Sequence, residues 1–305
     1  MGILLLAGAV GVLFATPFNF GASTEEAPYQ VKIIRNVTYA EPDGTDLQAD
    51  LFIPEGDHIL PGVLMVHGGA WFTGSRWQMQ PHAAKIASNG FVVVVISYRL
   101  APKHKFPAQL HDCLTAIRWM RKNAQKYRID PQRIAGYGYS AGAHLVTLAA
   151  MSADTAPSEW DASRAAGDAE VSATLQAVVA GGTPCDFSEI PQDNRVLAYF
   201  LGGSRKEVPH LYRLASPRYF VSPADPPAFF FHAENDRLVS KEAVQRMSEQ
   251  LQSVGVRSEV HIVPSTGHIS VFFHREPPKR AAAFLTDVFS SAAPARPRIP
   301  PSIPN

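Results

Sequence analysis

Three runs of this chain are apolar without alternation: Gly62 to Val66, Phe91 to Ile96 and, apart from Gln176 near its start, Leu175 to Ala180. A strand with one wet face alternates apolar and polar side chains. A strand with no polar position must be covered on both faces, as the inner strands of a parallel sheet are. Parallel neighbours need long crossovers, and the stretches between the runs have helical periodicity. Met79 to Ser88 separates the first two runs and stops at Asn89-Gly90. Leu110 to Tyr127 carries Leu114, Ile117, Trp119, Met120 and Ala124 near one face, and Asp130-Pro131 closes it. Ile134 to Tyr137, Ala228 to His232 and Ser258 to Val263 read as further strands, with Ala143 to Met151 and Lys241 to Val254 as further helices. A last helix is expected over Arg275 to Phe289, interrupted early by Pro277-Pro278. Near the start, Val31 to Tyr39 and Leu47 to Ile53 flank the turn signal Pro42-Asp43-Gly44, so an antiparallel hairpin opens the sheet. The expected fold class is α/β: a mostly parallel central sheet with an N-terminal antiparallel hairpin and helices on both faces.

Gly138-Tyr139-Ser140-Ala141-Gly142 stands where one of these strands hands over to a helix. A G-x-S-x-G frame in that context exposes the serine hydroxyl at the end of the sheet, above the helix N-terminus. A hydroxyl is a poor nucleophile at neutral pH unless an imidazole takes its proton. His268, in Pro264-Ser265-Thr266-Gly267-His268, follows the final strand on a loop at the same sheet edge and is the candidate base, with His274 as the weaker alternative. The imidazole needs an acceptor to fix its tautomer. Asp236, just past Ala228 to His232, is the candidate, and Glu234 and Asp225 compete with it. An oxyanion needs fixed N–H donors, which the His67-Gly68-Gly69-Ala70 turn supplies from Gly69 and Ala70, together with Ala141 at the helix start. Trp71, Phe72 and Tyr139 adjoin these groups in sequence and are candidates to line an apolar substrate pocket.

His67-Gly68-Gly69-Ala70-Trp71, Ser97-Tyr98-Arg99-Leu100-Ala101-Pro102, Gly138 to Gly142, the Asp236 segment and Gly267-His268, in this order, resemble the α/β-hydrolase superfamily near the hormone-sensitive-lipase-like and feruloyl-esterase-like carboxylesterases. The resemblance covers about residues 31 to 289. It implies an α/β-hydrolase fold and a serine hydrolase that cleaves carboxylic esters with Ser140, His268 and Asp236. Arylformamidase or peptidase action would use the same triad, and a non-catalytic binding protein of this fold is the reading from another class. Ala70 departs from the pattern, standing where many relatives have a third glycine. Lys103-His104-Lys105 also departs, replacing a more acidic stretch.

The 305 residues carry a formal charge of +1 without basic blocks, which argues against a nucleic-acid partner and leaves a small-molecule ester as the expected one. Neither a metal site nor a cofactor is called for, and the sequence leaves the oligomeric state open. Cys113 and Cys185 are too few for a disulfide framework, and Cys113 reads as a buried small hydrophobe. Residues 1–24 read as a signal peptide or membrane anchor because Ile3 to Phe14 is apolar and no charge precedes Glu25. Residues 3–20 would carry the membrane association, and the chain is expected to be secreted or anchored, with a cytoplasmic location as the alternative. Residues 25–290 form the expected catalytic domain, Ser152 to Glu170 a polar insertion, and 291–305 a Pro-rich disordered tail. Ser188 to Pro217 reads as an irregular helical excursion over the C-terminal sheet edge, and the sequence leaves open whether it acts as a lid. Arg99 and Asp112 are expected to form a structural ion pair that holds the Tyr98 to Pro107 loop.

Overall fold

The structure is a computed structural model that describes residues 29–152 and 170–291. The expected leader, most of the polar insertion and the Pro-rich tail fall outside these residues. One eight-stranded sheet runs through the described chain in the order β1-β2-β4-β3-β5-β6-β7-β8. Its strands are β1 (Val31–Ala40), β2 (Leu47–Pro54), β3 (Leu60–Val66), β4 (Val92–Ile96), β5 (Ile129–Tyr139), β6 (Ala177–Gly181), β7 (Ala228–Ala233) and β8 (Ser258–Val263). β1 and β2 form the expected hairpin and β2 pairs antiparallel with β4; every later pairing is parallel.

The unbroken apolar runs serve two cores at once. Along β3, Leu64 and Val66 enter one core while Val63 and Met65 enter the other, and β4 divides in the same way. The described helices are α1 (Gln80–Ala87), α2 (Ala108–Lys122), α3 (Ala124–Tyr127), α4 (Ala141–Ser152), α5 (Arg195–Leu201), α6 (Pro209–Leu214), α7 (Lys241–Ser253), α8 (His268–Phe272) and α9 (Glu276–Ser291). Leu110 and Ile117 of α2, Leu145 and Val146 of α4, and Val244 and Leu251 of α7 fill the first core. Ala83 and Ile86 of α1, with Leu285 and Val288 of α9, fill the second. Every residue of α4 is buried, which explains why Ala143 to Met151 has no polar face. Among the described residues no helix is long and apolar enough to cross a membrane.

Four local expectations are corrected. The stretch read as one helix to Tyr127 breaks at Asn123, leaving α3 as a single turn that ends with Arg128 in the left-handed region. The strand expected from Ile134 begins at Ile129, because Pro61 pairs with Asp130 and Gly62 with Ile134, and the residues between sit in a register shift. Pro277 and Pro278 do not interrupt the last helix. They fall in the first turn of α9, where N–H groups have no acceptor four residues back, so proline removes nothing. His268 stands at the start of α8, not on a loop.

Candidate active site

β5 ends at Tyr139 and α4 starts at Ala141, so Ser140 alone makes the turn between them. Its φ of 52° lies in the left-handed region, which costs a non-glycine residue about 1–2 kcal/mol. Two backbone bonds hold it there: Ser140 N–H donates to Gly181 O at 2.7 Å, and Ser140 O accepts from His144 N–H at 2.9 Å. Gly142 allows the helix start to press on the sheet, since a Cβ there would stand 2.1 Å from the Val66 carbonyl oxygen. Sequence, turn and packing thus converge on one half-buried hydroxyl at the parallel sheet's C-terminal edge.

His268 Nε2 lies 2.9 Å from Ser140 Oγ, and its Nδ1 lies 2.7 Å from Asp236 Oδ2. The Tyr139 hydroxyl donates to the His268 carbonyl, tying His268 to the strand that leads to Ser140. Asp236 Oδ1 accepts from the Leu238 and Val239 N–H groups, each at 2.9 Å. A second imidazole, His232, places Nε2 at 3.2 Å from Asp236 Oδ2 and 3.0 Å from Val239 O. Both neighbours are acceptors, so Nε2 carries the hydrogen, while Nδ1 is buried without a partner. Burial works against the Asp236 charge. Hydrogen bonds from His232 and His268, the His268 charge and the Val239 N–H outweigh it and hold the carboxyl well below the usual carboxylate range. The competing residues are engaged elsewhere. Glu234 accepts from Ser265 N–H, Asp225 from Ser222 N–H, and His274 from Glu276 N–H.

The His67–Trp71 turn closes against the serine: a Cβ on Gly68 would meet Ser140 Cβ at 3.3 Å. Gly69, Ala70 and Trp71 all have positive φ, at 122°, 51° and 66°. The Gly69 carbonyl turns into the loop, accepting from Phe72 and Thr73 N–H at 3.2 and 3.0 Å. The N–H groups of Gly69 and Ala70 donate to no protein acceptor among the described residues, and Ala141 N–H lies in the first turn of α4. Such N–H groups beside a nucleophile are able to receive a developing oxyanion.

Of the three aromatics expected at the pocket, only Phe72 is exposed. Tyr139 is buried beneath His268, and Trp71 is 4% exposed. The Trp71 ring stacks on Phe200 of α5 at 4.5 Å, and its Nε1–H donates to His144 Nδ1 at 3.1 Å. His144 passes the connection on, donating from Nε2 to Ala215 O at 2.6 Å. Its full burial lowers its pKa to about 4, although the Ala215 bond opposes this, and so keeps it neutral. The excursion between β6 and β7 is thereby fastened to the His67–Trp71 turn. The sequence reading passed over His144 and His232. The signal was spacing: His144 is one helical turn beyond Ser140, and His232 precedes Asp236 by four residues. The Arg99–Asp112 pair is present and buried, with Nη2 to Oδ1 at 2.8 Å and Arg99 N–H to Oδ2 at 2.7 Å.

The BD-FAE family model matches residues 49–251. Esterase LipQ of Mycobacterium tuberculosis is 32% identical over 201 residues, covering 64% of this chain and 46% of the relative. Esterase LipC of the same organism is 31% identical over 216 residues, covering 68% and 52%. The chain thus spans about half the length of the curated relatives it matches. Among solved structures, a truncated form of a carbohydrate esterase from gut microbiota superposes with a TM-score of 0.74 at 25% identity, covering 87% of this chain and 99% of that one.

Proposed function

The chain belongs to the BD-FAE family of α/β-hydrolases, and from that premise we propose that it is a carboxylesterase-type serine hydrolase acting on small-molecule esters. The observation that carries this reading is the unbroken file Ser140 Oγ, His268 Nε2, His268 Nδ1, Asp236 Oδ2, with links of 2.9 and 2.7 Å. Ser140 attacks the ester carbonyl as His268 takes its proton. The carbonyl oxygen, now negative, accepts hydrogen bonds from the N–H groups of Gly69, Ala70 and Ala141. Collapse of the tetrahedral intermediate expels the alcohol, to which His268 returns the proton. Water then repeats the sequence on the acyl-enzyme and releases the acid. Asp236 stays ionised throughout, because its four donors all favour the charged form, and it stabilises the imidazolium.

The test is turnover of an activated acetyl ester by the wild-type chain and by Ser140→Ala, with an acetyl anilide assayed beside it. The variant should remain folded and lose activity by a factor on the order of 10⁶. Retained turnover removes Ser140 from the mechanism. Faster cleavage of the anilide than of the ester would make the chain an amidase.

A further inference from the structure

His268 opens onto a cleft of about 560 Å³ whose apolar lining is Leu238, Ile269 and Phe273. These three side chains are 63%, 55% and 48% exposed, among the most exposed large hydrophobics described. They are tied to the triad by the chain itself. Leu238 donates its N–H to Asp236, Ile269 follows His268 directly, and Phe273 caps α8, the short helix that His268 begins. Arg237 is the one cation of the lining, it makes no ion pair among the described residues, and no carboxylate joins it there. An apolar surface of this size beside a proton-transfer group calls for a ligand with a matching apolar part.

The chemistry says which part of the substrate that is. The imidazole takes the serine proton and must deliver it to the departing oxygen, so the alcohol half of the ester leaves on the His268 side. The carbonyl oxygen points instead toward Gly69, Ala70 and Ala141. On the proposed esterase reading, on which this inference rests, we propose that the Leu238–Ile269–Phe273 cleft is the alcohol-specificity site. It takes a bulky apolar alcohol, either neutral or negatively charged, and disfavours one bearing an ammonium.

The proton balance fits this placement. Acylation breaks the bond between the acyl carbon and the alcohol oxygen, forms the bond to Ser140 Oγ, and moves the serine proton through His268 to the alcohol. Nothing of the alcohol remains in the acyl-enzyme, so the cleft acts on acylation and is empty of substrate during hydrolysis of the intermediate.

Two ester series separate the halves. Ethyl, butyl and hexyl acetate share an acyl group and have leaving alcohols of nearly equal acidity, while ethyl acetate, butyrate and hexanoate share the alcohol. In the wild-type chain kcat/KM is expected to rise about tenfold or more from ethyl to hexyl acetate, the gain of partly burying four methylenes. In Leu238→Ser and Phe273→Ser that rise should fall to about twofold, with the acyl series keeping its wild-type ratios. Ile59→Ser, which changes an exposed hydrophobic outside the cleft, should alter neither series. Acetylcholine should be a poorer substrate than its neutral isostere 3,3-dimethylbutyl acetate, and Arg237→Gln should narrow the gap. If the cleft variants flatten the acyl series instead, the cleft holds the acyl half and the proposal is overturned. If neither series moves, it is overturned too. Failure of every ester, together with failure of a serine-reactive phosphonate to label Ser140, would sink the hydrolase reading itself.

Discussion

His232 and His268 share one oxygen of Asp236: Oδ2 lies 3.2 Å from His232 Nε2 and 2.7 Å from His268 Nδ1. With Leu238 and Val239 N–H on Oδ1, the carboxylate has four donors and cannot rotate without losing several of them. Replacing His232 by leucine removes one donor and is expected to cost about 1–3 kcal/mol in urea unfolding at pH 7. Asp236 has a depressed pKa, so its contribution to stability is present above the ordinary carboxylate value and is lost as pH falls through the folded value. In His232→Leu that folded value rises and the contribution disappears at a higher pH. Unfolding curves at pH 3 to 7 that superpose for the two proteins would show that His232 does not act on Asp236.

Gly182 faces His268. A Cβ there would stand 2.9 Å from His268 Cε1 and 3.3 Å from the Tyr139 hydroxyl, on a backbone with φ of 57°. Gly182→Ala should leave the fold standing, less stable by about 1–2 kcal/mol, while pushing the imidazole off line. A displacement of this kind is expected to lower kcat by about 10- to 100-fold with a much smaller change in KM. Wild-type kcat in a folded Gly182→Ala protein would contradict it.

His67, His82 and His144 are fully buried, and burial lowers the pKa of each to about 4. Between pH 4 and 6.5 the unfolded chain binds these protons and the folded chain does not, so stability falls as pH drops through that window. The slope is about 1.4 kcal/mol per pH unit for each histidine and on the order of 4 for the three together. His82 hydrogen-bonds the Tyr137 hydroxyl and the Phe272 carbonyl. His82→Phe should therefore reduce the slope near pH 5.5 by about one third, as read from unfolding free energies at pH 5, 5.5 and 6. An unchanged slope would show that His82 is protonated in the folded chain.

Arg99 and Asp112 are joined by three side-chain contacts and by the Arg99 N–H, and burial pushes the Asp112 carboxyl up even though Arg99 pulls it down. Arg99→Ala leaves a buried carboxylate without its cation and is expected to cost about 3–5 kcal/mol. Arg99→Met with Asp112→Leu removes both charges and should cost less than Arg99→Ala alone. If the double variant is the worse of the two, the pair stabilises the loop beyond its charge balance.

What the sequence made legible follows from where the chemistry sits. Ser140, Asp236 and His268 each follow a strand, and strand ends at one edge of a parallel sheet come together by topology alone. Their meeting could therefore be anticipated from the alternation of strands and helices along the chain. His232 and His144 could not, because a histidine inside an apolar segment reads the same whether it fills space or holds a carboxylate. The apolar lining of the cleft was also hidden. Trp71 and Tyr139 adjoin Ser140 and the Gly69–Ala70 turn in sequence, yet their rings turn into the core, whereas Leu238 sits in polar loop sequence, Phe273 ends a short helix, and both turn outward. The early start of β5 depended on the partner strand, since only pairing with Leu60 and Pro61 recruits Ile129 and Asp130 into the sheet.

The aromatic stack of Trp71, Phe200 and Phe187 has a consequence for how such a molecule meets insoluble material. To swing the excursion aside, Phe200 and Phe187 would have to leave the core, at about 1.5–3 kcal/mol each, and Trp71 would be uncovered with them. Fewer than about one molecule in a hundred would be open at any moment. Ser140 keeps part of its surface in solvent with the excursion seated, so on the proposed esterase reading no oil–water boundary is needed to switch the molecule on. Its rate should follow dissolved monomer smoothly through the critical micelle concentration, with neither a lag nor a jump when droplets form.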